Sequence, residues 1–190
     1  MGRPKAFDRN EALARAVQAF RTRGYESTSI QNLVDSMGIH RASLYDTYGS
    51  KQDLFLEVLG RYTENVRKTL FQLLDVEGSS TDVIRGFFQR AVEDLCADDG
   101  QACLMVRTAL SPEAPWARDV VRNHMDELDR CFQRVLESGV QCRELRADLP
   151  VAATATFLRN SYEGLVVSSA VAPEKEGLNY TIDCVLRVLD

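Results

Sequence analysis

The chain has 190 residues, 45% of them apolar and 27% charged, a balance that excludes a disordered chain and suffices for one domain, or one with a small appendage. No apolar run reaches the roughly 20 residues of a membrane-spanning helix, and Met1-Gly2-Arg3-Pro4-Lys5 leads into no apolar stretch of a secretory signal. The net charge of −5 hides an asymmetry: residues 1–51 hold eight basic against five acidic side chains, so a positive head of the kind that meets a polyanion sits on an acidic body.

Asp8-x-x-Glu11 reads as a capping box, and Leu13, Ala16, Val17 and Phe20 follow at helical spacing up to Gly24, predicting a helix over 9–23. Thr28-x-x-Gln31 opens a shorter helix with Ile30, Leu33, Val34 and Met37 on one face and Gly38 at its end. A third helix is expected over 40–46, carrying Leu44 and Tyr45. Ser50-x-x-Asp53 caps a long fourth one with Leu54, Phe55, Val58, Leu59, Tyr62 and Val66 inward.

Residues 75–80 read as a linker, followed by helices over 81–95, 102–110, 116–138 with a stop at Gly139, 150–171, and a last one with Leu178, Ile182, Val185, Leu186 and Leu189. Only 5 prolines and 11 glycines interrupt the chain, and the fold class expected is all-α with about nine helices. The five cysteines are odd in number, lack C-x-x-C spacing and stand apart in sequence from His40 and His124. A disulfide framework or zinc site is therefore not expected, and a reducing cytoplasm is.

Residues 28–48 carry the functional signal. A short capped helix, a turn at Gly38 and a second short helix opening with Arg41, Ala42 and Ser43 have helix-turn-helix spacing. In that arrangement the second helix enters the major groove by its N-terminal residues. Arg41 can donate a bidentate pair to guanine, Ser43 and Thr47 can bond bases or phosphates, and Tyr45 offers a hydroxyl to a phosphate. Lys51, in the first turn of the next helix, suits a phosphate oxygen.

Residues 3–62 resemble the N-terminal DNA-binding domain of the TetR family of transcriptional regulators. The resemblance is carried by Arg3-Pro4-Lys5-Ala6-Phe7-Asp8, by Ala16-x-x-x-Phe20-x-x-x-Gly24-Tyr25-x-x-Thr28-Ser29, and by Met37-Gly38-Ile39-x-Arg41-x-Ser43-Leu44-Tyr45-x-x-Tyr48-Gly49-Ser50-Lys51-x-x-Leu54. Beyond Tyr62 it rests on helix count and on Ala102-Cys103-Leu104. It implies a DNA-binding domain over 1–50 and a helical ligand-binding and dimerisation domain over 51–190. Residues 41–47 become the recognition helix, with Ser29, Gln31, Arg41, Ala42, Ser43, Tyr45, Thr47 and Lys51 as DNA contacts and Leu44 and Tyr48 as buried anchors. Two residues depart from the pattern: His40 stands where relatives often carry a Ser or Thr cap, and Asp46 brings a negative charge that either accepts from cytosine N4 or points away.

The resemblance further implies a homodimer through the last two helices, placing two recognition helices about one DNA turn (~34 Å) or a multiple apart on a palindromic double-stranded operator. Small residues between Ala152 and Val171, among them Ala153, Ala155, Gly164 and Ser168, permit close helix approach. It also implies a cavity for a small-molecule inducer, for which Phe87, Phe88, Cys103, Met105, Trp116, His124, Met125, Arg159 and Tyr162 are candidates, with core packing or a Glu163 ion pair as the plainer roles.

Cys103, after Asp98-Asp99-Gly100, is a candidate oxidant or electrophile sensor through a lowered thiol pKa, against which the two aspartates and burial count. No nucleophile elbow, H-E-x-x-H or glycine-rich phosphate loop is present, so neither enzyme activity nor a cofactor is expected. A helical ligand-binding or interaction protein without DNA binding stays open as the alternative.

Overall fold

In the computed structural model, residues 7–97, 103–172 and 174–190 are described, and these contain nine α-helices, three 3-10 turns and no strand. Arg3-Pro4-Lys5, Asp98-Asp99-Gly100 and Ala102 lie outside the described residues.

Asp8 caps α1 (Arg9–Arg23) by accepting from the backbone N–H groups of Asn10 and Glu11, while Glu11 turns to Arg15 rather than back to the cap. α2 (Ile30–Met37) is capped one residue later than the sequence suggests. Ser29 and Asn32 form the reciprocal box, and the Thr28 hydroxyl is buried, donating to the Gly24 carbonyl at 2.6 Å. α3 runs over Arg41–Tyr48, and α4 (Lys51–Thr69) starts from the expected Ser50–Asp53 box.

A 3-10 turn over Phe71–Asp75 leads to α5 (Ser80–Ala97), then α6 (Leu104–Ala109), a 3-10 turn over Pro115–Ala117, and α7 (Arg118–Gln141). Gly139 does not stop α7 but lies inside it, buried. A Cβ there would stand 2.5 Å from the Ser80 hydroxyl and 2.8 Å from Leu145, so the glycine serves close packing. Just beyond the helix, Arg143 at a φ of 62° lets the Glu144 and Leu145 amides both donate to the Gly139 carbonyl. α8 (Val151–Ser169) and α9 (Lys175–Leu186) complete the chain with a 3-10 turn over Arg187–Leu189, and α9 begins three residues ahead of Leu178, the first apolar residue read for it.

Two cores result. One is built from α5, α7, α8 and α9 around Phe87, Phe88, Phe132, Leu158 and Ile182. The other gathers Phe20, Leu33, Leu44, Leu54 and Phe55 from α1–α4 and is closed by Leu104 and Met105 of α6 and Ala117 and Val121. α6 therefore packs with the N-terminal helices although it lies in the C-terminal half of the chain.

Candidate nucleic-acid interface and ligand cavity

Gly38 adopts the left-handed conformation at φ 68°, and the amides of Gly38 and Ile39 both donate to the Val34 carbonyl, closing α2 before α3 begins. α3 starts at His40 without a side-chain cap, so its first N–H groups are unclaimed by that residue. Leu44 is fully buried and Tyr48 nearly so. Arg41, Ala42, Tyr45 and Asp46 are exposed, and Ser43 and Thr47 are half-buried between them. Tyr45 is 46% exposed, with its hydroxyl available to a partner outside the chain.

The helix is held at its C-terminal end. The Tyr48 hydroxyl donates to the Arg9 carbonyl at 3.4 Å, and the Arg9 guanidinium lies 5.4 Å from the Tyr48 ring centre while pairing with Glu57 at 2.9 Å. This tie among α1, α3 and α4 joins residues up to 48 apart and leaves no periodic trace in the sequence. Gly49 turns the chain at φ 78°; a Cβ there would stand 2.9 Å from the Asp53 carboxylate that receives the Ser50 amide. Those Ser50 hydrogen bonds hold the Asp53 carboxyl below the usual carboxylate range.

Ser29 and Gln31 are exposed at the start of α2, where Ser29 bonds Asn32 and the Gln31 amide donates to Asp35 at 2.8 Å. Lys51 is less free than its position suggests. Its ammonium sits 4.4 Å from the Tyr25 ring centre and donates to the Glu26 carbonyl at 3.4 Å, and burial pushes it below the usual lysine range, with Glu26 pulling the other way.

A cavity of about 560 Å³ lies among α4, α6, α7 and α8, walled by Val66, Met105, Val106, Leu110, Val121 and Leu128 together with Val166 and Val167. Of the candidate ligand residues, Cys103, Met105, His124, Met125 and Tyr162 line it. The others do not. Phe87 and Phe88 are fully buried against Phe132, with ring centres 5.0 and 6.1 Å from it. Trp116 packs on Tyr25 and Phe55 at 5.2 and 5.9 Å. Arg159 gives its guanidinium to Asp129 at 2.9 Å and Glu163 at 3.1 Å, so the plainer ion-pair role holds. The aliphatic walls were missed because valines and leucines at helical spacing look the same in a core and in a cavity.

His124 stacks on Phe71 with ring centres 5.0 Å apart, its Nδ1 is buried without a hydrogen-bond partner, and burial pushes its pKa down to about 4. The Tyr62 hydroxyl donates to the Cys103 sulfur at 3.4 Å, and burial pushes the phenols of both Tyr62 and Tyr162 upward. Val66, Cys103, Tyr162 and Val166 also border a second, more polar cavity of about 360 Å³ that reaches Arg21, Asn65 and Arg90. Among the described residues, no group of three or more His, Cys, Asp or Glu is placed to hold a metal ion, and no helix is long and apolar enough to cross a membrane.

Family models describe both halves of this arrangement. Residues 12–58 match the bacterial regulatory proteins of the tetR family, and residues 85–184 match the tetracyclin repressor-like C-terminal domain. The chain belongs to the TetR family. It is 34% identical over 194 residues to the uncharacterized HTH-type transcriptional regulator YezE of Bacillus subtilis, covering 100% of both chains. The HTH-type transcriptional repressor ComR of Escherichia coli is 30% identical over 195 residues, covering 98% of this chain and 91% of that protein.

Among solved structures, a cysteine-substituted TetR family regulator CifR, complexed with 26-bp double-strand operator DNA, superposes with a TM-score of 0.90 at 32% identity, covering 100% of both chains. The reduced form of E. coli NemR shares the TetR fold at a TM-score of 0.79 and 19% identity, covering 96% of this chain and 97% of NemR.

Proposed function

We propose that the chain is a sequence-specific DNA-binding transcriptional repressor that acts in the cytoplasm as a homodimer and leaves its palindromic operator when a small-molecule inducer binds. It works by binding and population shift, not by catalysis. The observation that carries this reading is the division of α3: Leu44 and Tyr48 anchor it inward, while Arg41, Ala42, Tyr45 and Asp46 face outward. That division suits a helix whose outer face enters a major groove. A relative at 32% identity and TM-score 0.90 has been solved on operator DNA, which favours the same use of this surface here.

In this reading residues 1–50 read DNA and residues 51–190 dimerise and bind the inducer. Arg41 reaches a guanine edge, Ala42 lets the backbone come close, and Ser43 and Thr47 bond bases or phosphates. Tyr45, Ser29, Gln31 and Lys51 fix the register on the backbone. Dimerisation uses α8 and α9: Phe157 is 45% exposed on an outward face of α8 whose residues Ala153, Asn160 and Gly164 carry no charge, and Tyr180 is 67% exposed on α9. The inducer takes the α4–α6–α7–α8 cavity, whose volume falls within the usual range of small-molecule sites, ~300–1,000 Å³.

A gel-shift titration against the DNA flanking the chain's own gene tests the reading. Sequence-specific, salt-sensitive binding is expected, and no shift even at low salt would refute it in favour of a helical binder that does not touch DNA.

A further inference from the structure

The apolar cavity is not closed by its own chain. Leu110, 76% exposed just beyond α6, and Val167, 51% exposed on α8, form its rim together with Gly164 and Ser168, which are also exposed. Aliphatic surface at such a mouth is unfavourable in water, and nothing in the described residues covers it. Gly164 and Val167 lie on the same outward side of α8 as Phe157. The rim is therefore continuous with the face on which two chains meet in the reading above.

The lining also constrains charge. It includes no Lys or Arg among the described residues, and its carboxylate, Glu163, is already paired with Arg159 at 3.1 Å. His124 is held uncharged at neutral pH by burial. An ionic ligand would leave water without a counter-charge waiting for it. Met105 and Met125, flexible and polarizable, let the walls follow an apolar shape.

We propose that this cavity takes a neutral, predominantly apolar organic molecule, and that a second copy of the chain, docked along α8, covers its open rim. The proposal rests on the dimeric, inducer-binding part of the preceding reading and not on its DNA contacts.

The test uses the full chain without DNA and two probes that brighten in apolar surroundings: neutral N-phenyl-1-naphthylamine, and 8-anilino-1-naphthalenesulfonate, the same ring system carrying a sulfonate. The neutral probe is expected to saturate at one per chain and to bind about tenfold or more tightly than the sulfonate. Equal or tighter sulfonate binding overturns the ligand class. Met125→Trp, or Val106→Trp in its place, fills the cavity and should abolish neutral-probe binding; a folded variant that still binds overturns the site.

Phe157→Arg lies about 10 Å along α8 from the nearest rim residue, Gly164, and outside the cavity lining. It should give a folded monomer by light scattering and circular dichroism whose affinity for the neutral probe falls about tenfold. A folded monomer that binds like wild type overturns the second copy as lid, and a variant that remains dimeric overturns the α8 interface and the lid with it. Tyr180→Asp on α9 makes the same comparison should Phe157→Arg not fold. Loss of operator binding alone would sink the regulatory reading and leave these results standing.

Discussion

The Arg107 guanidinium donates to the main-chain carbonyl of Arg21 at 2.9 Å, so α6 is bonded directly to the last turn of α1. The same short helix contributes Met105 and Val106 to the cavity wall, so a change in cavity content has a direct physical route to the DNA-reading helices. Arg107→Ala strips a charged donor from a helix-terminal carbonyl. It should lower stability to urea by about 1–2 kcal/mol. An unchanged midpoint would show that water replaces the bond without loss.

Leu44 is the sole completely buried side chain of α3 and sets its height above α1 and α4. Leu44→Ala is expected to cost about 2–5 kcal/mol and to lower operator affinity along with the melting temperature. Retained stability would mean that α3 docks without this anchor.

Arg41 and Lys51 should separate by the kind of loss each produces. Arg41→Ala relaxes specificity at one base pair by about 1–3 kcal/mol, whereas Lys51→Ala weakens all sequences alike and lowers the salt slope by about one. Because Lys51 rests on the Tyr25 ring, its replacement also loosens the chain around Glu26. Operator variants titrated at several salt concentrations check both expectations, and wild-type behaviour from both variants would remove α3 from the groove.

His124 ties stability to pH. Its native pKa, about 4, lies below the ordinary 6.5, so between those values the unfolded chain binds a proton that the folded chain refuses. Stability therefore falls as the pH is lowered through 6.5 and continues to fall to about 4. Between pH 7 and pH 5 this one group should remove about 2 kcal/mol. His124→Phe, which keeps a ring against Phe71, should flatten that part of the urea-midpoint profile, and an identical slope in the variant would assign it to other groups.

Gly139→Ala pits two effects against each other. Alanine improves helix propensity by about 1 kcal/mol, but its methyl would meet the Ser80 hydroxyl, which is pinned by donation to the Val135 carbonyl at 3.0 Å. Overpacking of about 1–3 kcal/mol should win, giving a lower thermal midpoint. A higher midpoint would show that Ser80 and Leu145 yield freely.

What was legible in the sequence was local. The Ser50–Asp53 box, the Gly38 turn and the alternation of Leu44 and Tyr48 with exposed neighbours depend on residues three or four apart, so periodicity reports them directly. The start of α2 was ambiguous for an equally local reason. Thr28 and Ser29 are adjacent hydroxyls, each followed three residues later by an amide side chain, and only the bond from Thr28 to the Gly24 carbonyl decides between them. Long-range ties were not legible at all: Arg159 finds Asp129 from thirty residues away, and Trp116 meets Tyr25 across the seam between the halves. Cavity walls were hidden because a void leaves no mark on the apolar pattern that surrounds it.

The placement of Trp116 has a practical corollary. It is the single tryptophan of the chain, and it sits edge-on to Tyr25 and Phe55 where α7 begins. Its ultraviolet emission is thus a built-in optical gauge of the joint between the N-terminal helices and the start of α7, inside the core that α1–α4 share with α6. Loosening there would register in the indole spectrum without any label, while rearrangement confined to the far end of the bundle, around Ile182 and Leu186, would leave that signal untouched.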